Sequence, residues 1–340
     1  MNLSIYHNYN TQKPSFSSLS KYSPINKEDK TTATKSYCND TYFFRQPNQF
    51  EIMRTHLKNN FPNGTHILDY GCSDGEETYS IAMVIEDINK KEKTPLYTIT
   101  GHDPSTEIIE MANKGKYKVD SWFTPDSFLS KNEPTDSIQL NSYQESFHKH
   151  FKPTGEVEKD VEVYNNIFAN QISYKVNKED FNGVVDFVGG PIEGNIDQID
   201  KIYENKAKPG VIVFRNAWYH ILENKTNSSP LGKEEIKNLK TVLKKINNTL
   251  DDNGILIVGA LGRDHLLKEF KEREGIIDQS PFHKALYECN FVPLKNSAEH
   301  PIIDGRISDN IKVYTIWKKV SPKKNKLPKI FDFLNKKPLL

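Results

Sequence analysis

The chain has 340 residues, with 46 Lys and Arg against 45 Asp and Glu and a formal net charge of +1. No whole-chain field therefore steers it to nucleic acid or to an acidic membrane surface. Its three cysteines, Cys38, Cys72 and Cys289, form none of the CxxC pairs of zinc or redox motifs, a usage that fits a reducing cytosol.

The opening residues lack a basic segment followed by an apolar core, and no run of about 18 apolar residues occurs, so neither export nor a membrane span is expected. Residues 1–36 are rich in Ser, Thr, Asn, Lys and Pro and read as a mobile polar leader. Strand and helix patterns then alternate in chain order: HILDY before EETYSIAMVIEDIN, YTITGHD before STEIIEMANKG, GVIVFRNA before EEIKNLKTVLKKINNTL. GILIVGA and HLLKEFKE follow, then a short helix ending in ALYECN and a last strand-like run, IKVYTIWKKV. Short β-branched runs between helical periods predict an α/β fold, with a mostly parallel sheet covered on both faces. Ligands of such a sheet sit at the carboxyl ends of its strands. The region from about 118 to 183 breaks the rhythm, with the amphipathic NSYQESFHKHF and strand-like alternation near 156–176, and reads as an insert of about 141–182. Residues 321–340 form a basic tail.

The stretch DYGCSDGEE, residues 69–77, places two glycines and four carboxylates where a strand must turn into a helix. Gly71 and Gly75 permit positive φ and close approach of a ligand to the main chain. No Lys-Ser/Thr follows, so a triphosphate cradle is not expected, and the Gly-x-x-x-Gly spacing is not the dinucleotide fingerprint. Carboxylates would repel a pyrophosphate but suit a ligand with cationic and hydroxyl-bearing parts. S-adenosylmethionine, with its sulfonium, ammonium and two ribose hydroxyls, meets that demand. Asp103 ends the next strand, where it is placed either to accept from the ribose hydroxyls or to cap the helix that starts near Ser105.

Four ordered segments resemble the CheR family of chemotaxis receptor methyltransferases. Asn39-Asp40-Thr41-Tyr42-Phe43-Phe44-Arg45 is similar to the family's N-x-T-x-F-F-R. CSDGEETYSIAM is similar to its C-S-x-G-E-E-x-Y-S-x-A-M. HDPSTEIIEMANKGKY and VFRNAWYHI are similar to its third and fourth signatures. The resemblance covers roughly residues 37–320 and implies a seven-stranded, doubly wound, Rossmann-like methyltransferase sheet with a small inserted β-subdomain. It implies S-adenosylmethionine as cofactor and methyl-ester formation on protein glutamates, on a partner such as the cytoplasmic region of a chemoreceptor. No metal is implied, and the protein is expected to be cytoplasmic and monomeric.

By that resemblance Asn39, Thr41, Arg45, Glu77, Asp103, Arg215 and Asn216 line the cofactor pocket. The main chain of Gly71, Ser73 and Gly75 forms its turn, and Arg45 lies near the reacting centre as well. The family's tyrosine by the transferred methyl falls on His220, with Tyr219 one position earlier, so either residue is a candidate for the catalytic role. The family's G-H-S-E turn is replaced by Gly259-Ala260-Leu261-Gly262. Transfer to a carboxylate needs no general base, because the nucleophile is already ionised at neutral pH. A small-molecule methyltransferase and a signalling module that binds the cofactor without turnover are the alternative readings.

Overall fold

The computed structural model describes residues 43–89, 96–120, 137–164, 167–215, 233–259, 275–277, 281–300, 302–303, 306–307 and 311–321. Helix α1 (Pro47–Asn60) starts on a proline at its first turn, where the missing N–H costs nothing. It buries Phe50, Met53 and Leu57 at helical spacing. Strand β1 (Thr65–Tyr70) follows, then α2 (Glu76–Val84), the single-turn α3 (Glu86–Asn89), β2 (Tyr97–Asp103) and α4 (Thr106–Lys114). The alternation continues through β3 (Lys116–Asp120), α5 (Ser137–His150), β4 (Phe151–Tyr164), β5 (Ile167–Val176), β6 (Val185–Gly189) and β7 (Val211–Val213). After the long helix Lys233–Thr249 come β8 (Ile255–Ile257), β9 (Gly275–Ile277), helix Pro281–Glu288 and β10 (Phe291–Pro293). The last strands are β11 (Ala298–Glu299), β12 (Ile302–Ile303), β13 (Arg306–Ile307), β14 (Ile311–Tyr314) and β15 (Ile316–Lys319).

The central sheet has seven strands in the order β10-β15-β8-β7-β1-β2-β6. β15 runs antiparallel to both of its neighbours, while β6, β2, β1, β7 and β8 are mutually parallel. The expected mostly parallel α/β sheet is therefore present. Side chains alternate cleanly between its faces: Leu68, Ile212 and Leu256 join the cluster under helices Lys233–Thr249 and Pro281–Glu288. Ile67, Val211 and Ile255 join the one under α1 and α2. A strand covered on both sides reads as a continuous apolar run rather than an alternating one, which is why HIL, VIV and ILI carry no period-2 polarity. Among the described residues no helix is long and apolar enough to cross a membrane.

One sequence reading is corrected. IKVYTIWKKV is not a single strand: β14 pairs with β11 and β9 in a small three-stranded sheet, and β15 pairs with β8 and β10 in the main one. Buried Thr315 is the break. Its N–H and hydroxyl both donate to Ser297 O, at 3.0 and 2.9 Å, so the chain is tied to residue 297 at the point where it changes sheets.

β3, β5 and β4 form a separate antiparallel sheet, joined to the core by aromatic packing. The Phe43 ring meets Tyr117, Phe147 and Phe151 edge-on with centroids 5.0–5.1 Å apart, a geometry favoured by the ring quadrupoles.

Candidate functional site

The strand order progresses in opposite directions from β1, through β2 to β6 on one side and through β7 to β8 on the other. That reversal opens a crevice at the carboxyl ends of β1 and β7, where α/β sheets bind ligands. DYGCSDGEE lies there. Gly71 (φ 75°), Ser73 (φ 54°) and Gly75 (φ 94°) all occupy the left-handed region. The turn is stitched to β2, because Gly71 N–H and Cys72 N–H both donate to the His102 carbonyl, at 2.7 and 3.1 Å. A Cβ on Gly75 would lie 2.7 Å from Phe187 Cζ, so both the dihedral and the space require glycine.

Asp103 closes the turn from the neighbouring strand. One carboxylate oxygen accepts from Ser73 N–H at 3.1 Å and the other from Ser105 N–H at 2.9 Å. The helix cap is instead Ser105, whose hydroxyl accepts from Ile108 N–H. Of the two roles open to Asp103 in the sequence, capping thus falls to Ser105. Burial raises the Asp103 carboxyl above its ordinary range, against the two N–H bonds that lower it.

Two further carboxylates complete the acidic lining. Asp69, fully buried, accepts from the Thr78 hydroxyl at 2.6 Å through Oδ2. Desolvation first and the Glu77 charge second push its pKa well above the carboxylate range. Asp74 is pushed up to about 6, by burial first and to a smaller extent by Asp103, while bonds from the Glu76 and Asp74 N–H groups oppose the rise. Asp69 Oδ1 and Asp74 Oδ1 are both buried with no donor among the described residues. Buried acceptors are nearly always satisfied, so the turn has the acceptor set to hold a ligand rich in N–H, O–H or positive charge. S-adenosylmethionine is such a molecule, and these residues fit it.

Glu77 and Arg215 meet each other. Arg215 follows β7 and donates from Nε to Glu77 Oε2 at 2.9 Å, and from Nη2 to the same oxygen. Its Nη1 donates to the Arg45 carbonyl at 2.7 Å. Arg45 is half-buried. Phe44 (φ 55°) and Gln46 (φ 54°), on either side of it, both occupy the left-handed region. Phe44 N–H donates to Ser80 Oγ at 2.8 Å, and the Phe44 ring stacks on Tyr143 at 4.6 Å.

Arg45, Gly71, Ser73, Gly75, Glu77, Asp103 and Arg215 are therefore gathered at one end of the sheet. Asn39, Thr41, Asn216, Tyr219 and His220 lie outside the described residues. Sequence reasoning passed over Asp69, Asp74, Thr78 and Gln49 as site residues. The first two stood in the quoted stretch, and a buried carboxylate beside two others is itself a signal. Gln49 carried none.

Residues 39–131 match the family described as CheR methyltransferase, SAM binding domain. WspC of Pseudomonas aeruginosa, named as a biofilm formation methyltransferase, is 33% identical over 88 residues. That match covers 24% of this chain and 20% of WspC, so the chain spans about a fifth of the length of that relative. Among solved structures, magnesium protoporphyrin IX methyltransferase from Synechocystis PCC 6803 with bound SAH is 10% identical with a TM-score of 0.35, over 81% of this chain and 83% of that one. WbdD is 11% identical with a TM-score of 0.37, over 83% and 41%. The assignment of the fold rests on the strand order given above and not on these two likenesses. Residues 39–131 thus match the S-adenosylmethionine-binding domain of the CheR methyltransferases.

Proposed function

We propose, from the match of residues 39–131 to the CheR methyltransferase family, that the chain transfers the methyl group of S-adenosylmethionine to protein glutamate carboxylates, forming methyl esters in chemotaxis-type signalling. The observation that carries the cofactor side is the acidic turn: three buried or largely buried carboxylates at the tips of β1 and β2, two of them with an oxygen that has no donor among the described residues. Such a lining favours a cationic ligand and disfavours a phosphate. On this reading Asp103 faces the ribose hydroxyls, the main chain of Gly71, Ser73 and Gly75 gives room for the methionyl part, and Asn39, Thr41 and Asn216 contribute further polar contacts. Asp69 and Asp74 join that set.

Bound S-adenosylmethionine supplies an electrophilic methyl carbon. The task left to the chain is to align a carboxylate oxygen with it and to exclude water, and such positioning supplies roughly 7–11 kcal/mol of barrier lowering. Arg45, a planar fork of donors, is suited to hold a carboxylate in two-point contact, and Tyr219 or His220 stands by the reacting centre. We take residues 37–320 as the catalytic domain, with residues 141–182, which include β4 and β5, as its insert. It acts as a cytoplasmic monomer on a protein partner such as a chemoreceptor.

Isothermal titration with S-adenosylhomocysteine, followed by methyl-label transfer to receptor fragments, tests this. Binding together with a base-labile label on glutamates is the expected result. No heat at millimolar ligand removes the cofactor reading. Binding with no label on any carboxylate leaves a module without turnover, and label on metabolites alone leaves a small-molecule enzyme.

A further inference from the structure

Arg215 has an unusual number of partners inside the protein for an arginine expected to touch a cofactor. Its side chain is wholly buried. Nε and Nη2 are taken by Glu77 Oε2, and Nη1 by the Arg45 carbonyl at 2.7 Å and Gln49 Oε1 at 3.3 Å. The Phe50 ring lies 4.6 Å from the guanidinium carbon. Four of the five N–H donors of a guanidinium are thus engaged by described residues. Gln49, itself fully buried, donates from Nε2 to Glu299 Oε2 at 2.7 Å. The orientation of that amide follows from its partners, since flipping it would set donor against donor at Arg215 and acceptor against acceptor at Glu299.

We propose that Arg215 is a positioning residue rather than a contact of the cofactor, and that Gln49 is its brace. Together they hold the main chain at Arg45 and the Glu77 carboxylate in the places from which both face the cofactor. The inference rests on the methyltransferase reading above. Its physical basis is the backbone around Arg45: left-handed residues on either side, Phe44 and Gln46, persist only where the surroundings over-determine them. Ser80 and Tyr143 hold the Phe44 side, and the Arg215 bond to the Arg45 carbonyl holds the other. A single charged group therefore fixes the carboxylate at the start of α2 and the donor fork before α1 relative to each other. Lysine, a single-point donor, has no geometry for both at once.

The test is a double-mutant cycle on S-adenosylhomocysteine affinity, measured by isothermal titration on the full chain as wild type, Gln49→Met, Arg45→Ala and the double variant. Gln49→Met is expected to weaken binding about three- to tenfold beside Arg45, and by a clearly smaller factor in the Arg45→Ala background, where only the Glu77 arm of the brace still acts on the cofactor. An equal penalty in both backgrounds, or none in either, overturns the assignment and leaves Gln49 a core residue. A second measurement needs no variant: the ¹⁵N resonance of Arg215 Nε–H in wild-type protein should stay in place when S-adenosylhomocysteine is added. A displaced resonance would make Arg215 a ligand and overturn the proposal. If wild type takes up no S-adenosylhomocysteine, the methyltransferase reading fails and this inference with it; if it binds but the cycle is additive, only this inference fails.

Discussion

Replacing Asp74 with asparagine tests whether the acidic turn is held at the expense of stability. The Asp74 carboxyl is raised from 3.8 to about 6, with burial as the main cause. Between those two values the folded chain binds more protons than the unfolded one, so stability falls as pH rises through that window. A rise of roughly 2 pKa units corresponds to about 3 kcal/mol of destabilisation once the group is ionised in both states. Asparagine removes the charge and keeps an oxygen for the Glu76 N–H. It loses the charge-assisted part of that bond, worth about 1 kcal/mol. The variant should therefore exceed wild type by about 2 kcal/mol at pH 7.5, and that advantage should shrink by about 2 kcal/mol at pH 4.5. Urea unfolding followed by circular dichroism at the two pH values measures it, with equal slopes expected for both proteins. An advantage of the same size at both pH values, or a variant less stable at pH 7.5, would show that Asp74 is not a strained carboxylate and would remove one support of the cationic-ligand reading.

Three further outcomes follow from the same site. Arg215→Met leaves Glu77 without its buried partner and should cost about 3–5 kcal/mol in urea unfolding; a loss under about 1 kcal/mol would mean that water already reaches the pair. Gly75→Ala forces a side chain onto φ 94° and against Phe187, and should destabilise by at least about 1–2 kcal/mol with weaker S-adenosylhomocysteine binding, whereas unchanged thermal unfolding would contradict the close approach. Ser80→Ala removes the acceptor of the buried Phe44 N–H and should cost about 1–3 kcal/mol, with faster hydrogen exchange at Phe44 as the local readout.

The two sheet faces and the acidic turn were legible in the sequence for the same reason: each is a local pattern. A strand buried on both sides must be apolar throughout, and a strand-to-helix turn must hold glycine where φ is positive, so HIL, VIV, ILI and the spacing of Gly71 and Gly75 announce themselves over a few residues. Asp103 stood at the correct strand end for the same reason. The split of IKVYTIWKKV was not legible, because the break at Thr315 is made by bonds to Ser297, 18 residues earlier, and nothing within the run marks it.

Residue types and their local spacing were enough to specify an α/β chain with a carboxylate-lined turn at the tip of its first strand and an arginine fork ahead of it. Which of those charges face one another was decided only by the folded arrangement. Glu77 and Arg215 are separated by 138 positions, and Gln49 lies between Arg215 and a glutamate 250 positions from itself. Such contacts depend on how the strands are ordered across the sheet and on the water excluded when its faces are covered. Burial is also what turns Asp69, Asp74 and Asp103 from ordinary surface acids into groups whose ionisation is costly, and no local reading of the sequence measures that.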